Sequence, residues 1–126
     1  MSRFIQVFVT TPKRNEAEQI ARALVAERLA ACAQVLGPVA STYRWQGRIE
    51  RSKEWLCLVK TERRLLVRLT KVVQRLHSYD IPEVIGVAIC GGNSRYLCWL
   101  GSTLGGKRTA SRSSGRGQRA TSGNSA

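Results

Sequence analysis

The only histidine of the 126-residue chain, His77, stands close to side chains that can move protons or bind metal. Tyr79, Asp80 and Glu83 follow it within the same segment. An imidazole beside carboxylates can serve as a general acid or base, or as a metal ligand. The position, at the end of a helical pattern and before a strand, equally suits a structural histidine packed at the junction. The residues alone leave both interpretations open.

The cysteines do not have the spacing of a metal or disulfide site. They form no Cys-x-x-Cys pair and fall inside apolar segments, at Cys32, Cys57, Cys90 and Cys98. We therefore expect reduced, buried thiols in a cytoplasmic protein rather than structural zinc. No nucleophile stands beside a base, and no Walker or dinucleotide-binding glycine pattern is present. These residues do not predict an enzyme.

The net charge of +13 points to anionic partners, and part of it is concentrated at the C-terminus. The segment after Gly101 carries no acid and five cations, Lys107, Arg108, Arg112, Arg116 and Arg119. Such a tail predicts non-specific contact with polyanions at low salt. No run approaches the roughly 18 apolar residues of a membrane span, so we expect no membrane partner.

Outside the hairpin described below, three segments have strand-like patterns. Residues 4–10 are β-branched and aromatic, and residues 32–39 open a second strand with a bend or bulge at Gly37-Pro38. Residues 83–90 form the last predicted strand. Residues 94–100 follow as a short helix or an extended cover, since they are too apolar to be left in water.

Two segments have the apolar spacing of amphipathic helices. The first runs over residues 16–31, with Asn15 as N-cap and Glu18 completing a capping box. The second covers residues 65–76, with Thr61 as a candidate N-cap. Its exposed face is basic, through Arg64, Arg68, Lys71 and Arg75.

The sequence also predicts a long β-hairpin over residues 41–61. Its first arm places one alternating set on one face, namely Tyr43, Trp45, Gly47 and Ile49. Residues 50–53 are polar and predict the turn, and residues 54–61 are apolar on both faces, as in a central strand. Arms of this length exceed the usual strand of five or six residues, so the first arm is available to another subunit.

The resulting order, βαββαβ, predicts an α+β ferredoxin-like fold, with an antiparallel sheet, helices on one face and a long β2–β3 hairpin. We expect one domain over residues 1–101 and a disordered Gly/Ser/Arg tail over residues 102–126. An RNA-recognition module shares this topology and the basic charge, and it is the alternative function. Its third strand requires exposed aromatics and glycines that residues 54–61 lack.

Five separate motifs in order resemble the divalent-cation tolerance protein family, CutA. They are residues 27–32 (ERLAAC), 41–47 (STYRWQG), 59–61 (VKT), 77–83 (HSYDIPE) and 96–100 (YLCWL). The resemblance runs from about residue 4 to residue 100. It implies a PII-like ferredoxin fold, a homotrimer and a non-enzymatic role in tolerance of copper and other divalent cations.

The resemblance also implies candidate site residues. Trp45, Lys60, Tyr79 and Glu83 match family motifs and are candidates for a ligand pocket between subunits, with His77 as a candidate metal ligand. Family members usually have proline where this chain has a serine after His77. The resemblance implies two further ligands, a cysteine at the end of the first strand and a histidine next to His77. Val9 stands near the first position and Leu76 at the second. Because stable copper sites recruit several nitrogen or sulfur ligands, we expect weak Cu(II) binding.

Overall fold

A computed structural model describes residues 2–106 of the chain. Along those residues the strands are β1 (Phe4–Thr11), β2 (Cys32–Trp45), β3 (Arg48–Glu62) and β4 (Val84–Ala88). The helices are α1 (Arg14–Ala26), α2 (Leu66–Leu76) and α3 (Ser94–Thr103), and a 3₁₀ turn, Arg63–Leu65, leads into α2.

The four strands form one antiparallel sheet in the order β2-β3-β1-β4. Strand β1 alternates strictly, since Ile5, Val7 and Val9 are buried while the residues between them are half-buried. Helices α1 and α2 cover the buried side, where Ile20, Leu24 and Leu69 complete the core. The predicted ferredoxin-like α+β fold is therefore confirmed, as is the central position of β3.

The opposite side of the sheet, here called the open face, is covered only in part by the described residues. Helix α3 lies on this side, where burial, followed by the nearby Cys32 thiol, raises the pKa of Tyr96. Apolar side chains on the remainder of the open face include Phe8, Leu36, Leu56, Leu58, Ile85 and Val87. Of these, Ile85 and Val87 on edge strand β4 are 52% and 49% exposed.

The hairpin turn lies at Gln46 and Gly47, not at residues 50–53 as predicted. Both residues have positive φ, 51° and 78°, as a two-residue turn of type I′ requires. The predicted turn residues are paired in β3, with Glu50 opposite Tyr43. Ile49 consequently lies opposite Arg44, on the other face from Trp45. The predicted apolar face of the first arm was wrong from Gly47 onward.

The far part of the hairpin, residues 40–53, extends beyond the rest of the sheet and is here called the projecting arm. Strand β1 ends its pairing at Thr11, opposite Trp55, so β2 and β3 continue from there as a two-stranded ribbon. The ribbon begins after the predicted bulge, confirmed between Leu36 and Val39. There a side chain on Gly37 would meet the indole of Trp55 at 2.8 Å, so the bulge requires glycine.

The helix boundaries differ from the prediction for local reasons. Helix α1 begins at Arg14 after Lys13, which forms no side-chain cap, so the predicted Asn15 capping box is wrong. The helix ends at Ala26, because Arg28 has φ 60° and Leu29 donates its N–H to the Leu24 carbonyl.

Thr61 also differs from its predicted role. It lies inside β3, buried, with its hydroxyl donating to the Leu29 carbonyl, and it does not cap α2. The predicted end of α2 near His77 is confirmed, since His77 is its C-cap.

Ordered structure continues past the predicted domain boundary at residue 101. Ser102 and Thr103 complete α3, and Leu104 is buried in the core. Hydrogen bonds to the buried Glu62 carboxylate hold this part of the chain in place. The carboxylate accepts hydrogen bonds from Arg3 Nε and from Arg64 Nε, both at 2.6 Å. Arg64 also donates to the Gly105 carbonyl at 2.8 Å. The predicted tail from residue 107 onward lies outside the described residues.

Candidate functional site

His77 is held at the end of α2 by hydrogen bonds to both ring nitrogens. Its Nε2 lies 2.7 Å from the Thr10 carbonyl oxygen, and its Nδ1 accepts from the Tyr79 backbone N–H at 3.0 Å. A carbonyl can only accept and a backbone N–H can only donate, so the proton sits on Nε2 and Nδ1 presents its lone pair. His77 is 8% exposed, and it fastens the segment after α2 to the end of β1.

Glu16, in the first turn of α1, holds the next residue of that segment. Its Oε2 accepts from the Ser78 backbone N–H at 2.8 Å and from the Ser78 hydroxyl at 3.0 Å. The same oxygen lies 3.3 Å from Nδ1 of His77. Helix α1 and the segment after α2 are thereby tied together at the end of β1. A proline at position 78 has no N–H to donate, so the backbone contact requires a residue other than proline, and the second contact requires the serine hydroxyl.

Tyr79 is bonded to a carboxylate from the hairpin. Its hydroxyl donates to Oε2 of Glu54 at 2.9 Å, and Glu54 is 8% exposed. Burial, followed by the hydrogen bond to Glu54 and the charge of that carboxylate, raises the pKa of Tyr79 to about 12. Tyr79 is therefore a neutral hydrogen-bond donor at physiological pH. We call this group, Glu16, Glu54, His77, Ser78 and Tyr79, the His77 cluster.

Two of the four predicted pocket residues lie at this end of the sheet. Tyr79 belongs to the His77 cluster, and Glu83 comes near it, with Oε1 at 3.5 Å from the Thr10 hydroxyl. Glu83 is exposed, and Asp80 is exposed as well. This end of one subunit therefore presents carboxylates beside a neutral phenol, in the open loop after α2.

The other two predicted pocket residues lie elsewhere in the subunit. Trp45 is at the tip of the projecting arm, opposite Arg48, and is 55% exposed. Lys60 is on the open face, where its Nζ donates to the Gln34 side chain at 3.0 Å. At the rise of a β-strand, Arg48 and Lys60 are roughly 40 Å apart. A single chain does not bring Trp45 and Lys60 together.

The residues do not fit a tight copper site within one subunit. Among residues 2–106, no group of three His, Cys, Asp or Glu side chains is arranged to hold a metal ion. Cu(II) would have to displace the Tyr79 N–H from Nδ1 of His77, since the other ring nitrogen is directed at a carbonyl. Stable sites require several such ligands. The hydrogen bonds of the His77 cluster are made within the chain, and they use both ring nitrogens of His77.

The carboxylates of the His77 cluster were not anticipated from the sequence. Glu16 and Glu54 are separated from their partners by 62 and 25 residues along the chain, and neither belongs to a recognisable motif. Glu54 carried a weak signal, because an acid that begins the apolar part of a central strand needs a buried donor. Nothing in the local spacing identified the donor as Tyr79.

An antiparallel β2-β3-β1-β4 sheet with two helices on one side and a long β2–β3 hairpin defines a ferredoxin-like protein of the PII-like type. Comparison with known proteins makes the assignment narrower. The family model described as "CutA1 divalent ion tolerance protein" matches residues 5–103. The chain belongs to this family.

Similar proteins come from bacteria, plants and animals. The divalent-cation tolerance protein CutA of Thermus thermophilus is 42% identical over 96% of its length and 79% of this chain. A solved structure of the Thermus protein superposes with a TM-score of 0.80, at 41% identity over 81% of this chain and 99% of that one. The Arabidopsis thaliana protein CutA, named chloroplastic, is 42% identical over 76% of this chain.

The extent of these matches differs between relatives. The chain spans about half the length of the Arabidopsis and mouse relatives, 53% and 52% respectively. The names of the relatives also refer to different compartments, since a solved CutA structure from Archaeoglobus fulgidus is named periplasmic. It superposes with a TM-score of 0.77, at 32% identity over 79% of this chain and 97% of that one. In the described part of this chain, no helix is long and apolar enough to cross a membrane.

Proposed function

We propose that the protein acts in divalent-cation tolerance as a non-enzymatic, cytoplasmic homotrimer that binds metal weakly or binds a small ligand between subunits. Family membership supports the link to divalent cations. The observation that carries the proposal is the structure of the projecting arm, a two-stranded ribbon with no further strand beside it in the described residues. An isolated hairpin is marginally stable in water, so the arm requires a partner.

Exposed apolar side chains support a second copy of the chain as that partner. On the arm, Trp45 and Ile49 are 55% and 68% exposed. On the open face, Ile85 and Val87 belong to edge strand β4, whose outer edge is unpaired in the described residues. Edge strands and arms of this kind pair readily with each other. The CutA resemblance is what favours three subunits over two.

The state of the single histidine supports a role without catalysis. His77 uses both ring nitrogens to fasten the backbone at Thr10 and Tyr79, which leaves no free imidazole for acid–base chemistry. The described cysteines are free thiols, which supports a reducing compartment such as the cytoplasm. Only Cys57 is buried, so the prediction of buried thiols was wrong for Cys90 and Cys98, which are exposed.

A ligand pocket between subunits follows from the trimer. The arm tip with Trp45 lies far from Tyr79 and Glu83 in one subunit, and a neighbouring subunit's arm could bring the three together. The neutral phenol of Tyr79 would donate to such a ligand only after exchanging its bond to Glu54. Fluorescence of the Trp45 indole, the one tryptophan in the arm, would report the pocket as it fills.

Growth measurements test the proposed function. Cells that lack their own member of the family are supplied with this chain and challenged with Cu(II), Zn(II) and Cd(II). We expect restored growth, and we expect the Trp45→Glu variant, in which the arm cannot pack, to fail. Normal growth with Trp45→Glu, or no rescue by the wild-type chain at equal abundance, would contradict the proposal.

Isothermal titration with Cu(II) tests the metal component separately. We expect weak binding that is lost when glycine is added as a competing chelator. The affinity for Cu(II) should be lower still in His77→Ala. His77→Gln, which keeps a hydrogen-bonding side chain, controls for damage to the fold. Binding that survives competition would show that ligands from several subunits form a tight site.

A further inference from the structure

The projecting arm has one side that is basic and exposed. Residues directly opposite each other in an antiparallel pair lie on the same side of the ribbon, so the pairing of β2 with β3 defines this side. Its members, all exposed, are Ala40, Thr42, Arg44, Ile49, Arg51 and Lys53. Three cations and one large aliphatic residue therefore project together, without an acid among them. We call these six residues the basic side of the arm.

The charges of the basic side are not neutralised within the chain. In the part of the chain that the structure describes, Arg44, Arg51 and Lys53 form no ion pair with a carboxylate. The carboxylate of Glu50, also in the arm, lies on the other side of the ribbon. Ile49 is 68% exposed between the two arginines. Both the charges and the apolar residue of this side thus face solvent in a single copy.

The loop between α2 and β4, residues 78–83, has the opposite charge and a matching apolar residue. Asp80 and Glu83 are exposed, and residues 77–94 contain no lysine or arginine. Ile81, between the two acids, is 80% exposed, more than any other large apolar residue among residues 2–106. The loop presents an isoleucine flanked by carboxylates, and the basic side presents an isoleucine flanked by guanidinium groups. The two surfaces are complementary in charge and in the position of their apolar residue.

The outer half of the arm does not reach the loop of its own chain. That loop is fastened at the end of β1, where Nε2 of His77 lies 2.7 Å from the Thr10 carbonyl oxygen. Strand β1 ends opposite Trp55, and Ile49 lies six residues farther along β3, about 20 Å away at the rise of a strand. Because the ribbon continues away from the end of β1, its outer half meets such a loop only on another copy.

We propose that the basic side of the arm docks on the 78–83 loop of a neighbouring copy, with its arginines against the loop carboxylates and the two isoleucines in contact. This inference rests on the proposed homotrimer and names the surfaces by which one copy recognises the next. The charges orient the arm, because the other side of the ribbon would bring Glu50 toward the carboxylates. Docking here also carries Trp45, next to Arg44 in the sequence, toward Tyr79, as the pocket between subunits requires.

Charge reversal tests the contact, with assembly followed by light scattering along a dilution series near physiological salt. Arg44→Glu/Arg51→Glu should raise the concentration at which half of the assembly dissociates by at least about tenfold, because like charges then face each other. Asp80→Lys/Glu83→Lys should have the same effect. The melting temperature at one fixed protein concentration should fall in both variants, and it reports the loss even where the wild type does not dissociate on dilution.

The chain that combines all four substitutions is the decisive variant. It restores opposite charges at every contact and has the net charge of the wild type, so the dissociation concentration should return to within about threefold of the wild-type value. The matched control, Arg68→Glu/Lys71→Glu, reverses two exposed charges on α2 and should keep the wild-type assembly. An equal loss in this control would overturn the contact, because net charge alone would then explain the effect.

Two further outcomes distinguish this contact from the homotrimer on which it rests. A wild type that assembles, with a combined variant as weak as either pair of reversals, would overturn the contact and leave the homotrimer standing. A wild-type monomer would overturn both. The contact is also overturned if Arg44→Glu/Arg51→Glu assembles normally. If that variant then loses affinity for random-sequence oligonucleotides that the wild type binds, the basic side belongs to a polyanion and not to a second copy.

Discussion

The His77 cluster and the projecting arm differ in whether their side chains find partners within the chain. In the cluster, buried polar groups find partners inside the chain: His77 between Thr10 and Tyr79, and Glu54 with the Tyr79 hydroxyl. In the arm, Trp45 and Ile49 are more than half exposed, and the ribbon has no third strand in the described residues. The cluster lies where β1 ends and the arm begins, so completed and uncompleted parts of the fold are adjacent, and in the proposed function further copies complete the arm.

This difference separates two kinds of mutational effect. Changes at the cluster or beneath it should lower the free energy of unfolding without changing the native mass. Changes on the arm should alter the native mass first. Each variant is compared with the wild type at one fixed protein concentration, since assembly makes stability concentration-dependent.

The largest effect is expected in the core under the cluster. Leu69 is fully buried on α2, the helix whose end carries His77. Leu69→Ala should lower the free energy of unfolding by about 2–5 kcal/mol, through lost burial and the cavity left behind. Urea unfolding followed by circular dichroism measures it. Val67→Ala, at a site 70% exposed on the same helix, is the control and should change little. Equal losses in the two variants would show that α2 is packed differently.

A smaller effect is expected at Tyr79. Tyr79→Phe leaves the buried Glu54 carboxylate without its donor and should cost about 1–3 kcal/mol. The pH dependence gives a sharper test, because the pKa of Tyr79 is raised from 10.0 to about 12 in the folded state. Between these values the unfolded chain loses the proton while the folded chain keeps it. The stability of the wild type relative to Tyr79→Phe should therefore be intact below pH 10 and decline toward pH 12.

Urea midpoints of both proteins, below pH 10 and near pH 12, measure that difference. A constant difference across this range would mean that Tyr79 titrates normally and is not bonded to Glu54 in solution. Absorbance of the tyrosinate in the wild type, compared with Tyr79→Phe, identifies the residue that titrates late.

The smallest effect is expected at Ser78. Ser78→Ala removes the hydroxyl bond to Glu16 but keeps the backbone bond, so it should cost about 1 kcal/mol or less. Ser78→Pro removes both donors and should cost more. Thermal unfolding distinguishes the two variants, with Ser94→Ala, at an exposed position in α3, as control. If Ser78→Pro is neutral or stabilising, the Glu16 contact contributes nothing that a rigid residue does not replace.

The sequence predicted the strands, the helices and their order because apolar periodicity reports directly which side is buried. The prediction failed where a residue adopts a backbone conformation that is unusual for its type. Arg28 takes a left-handed position that glycine normally fills, so the end of α1 carried no stop signal. The polar run over residues 50–53 resembled a turn because the projecting arm has no buried side, and alternation is lost there.

The candidate site was predicted only in part for a related reason. His77 and Tyr79 stand out by type and proximity in the sequence. Their partners Glu16 and Glu54 come from other elements, and only the tertiary structure brings them within hydrogen-bond distance. Spacing along the chain holds no information about such pairs.

The most direct test of the account is the native mass in solution, measured by light scattering after size exclusion in high salt. High salt suppresses contacts made by the basic tail. We predict three times the 14.0 kDa mass of the chain at micromolar concentration. Trp45→Glu should shift the mass toward the monomer, because a carboxylate buried in the contact should cost several kcal/mol. A wild-type monomer, or a Trp45→Glu variant that keeps both the trimer mass and the melting temperature, would contradict the claim that further copies complete the arm.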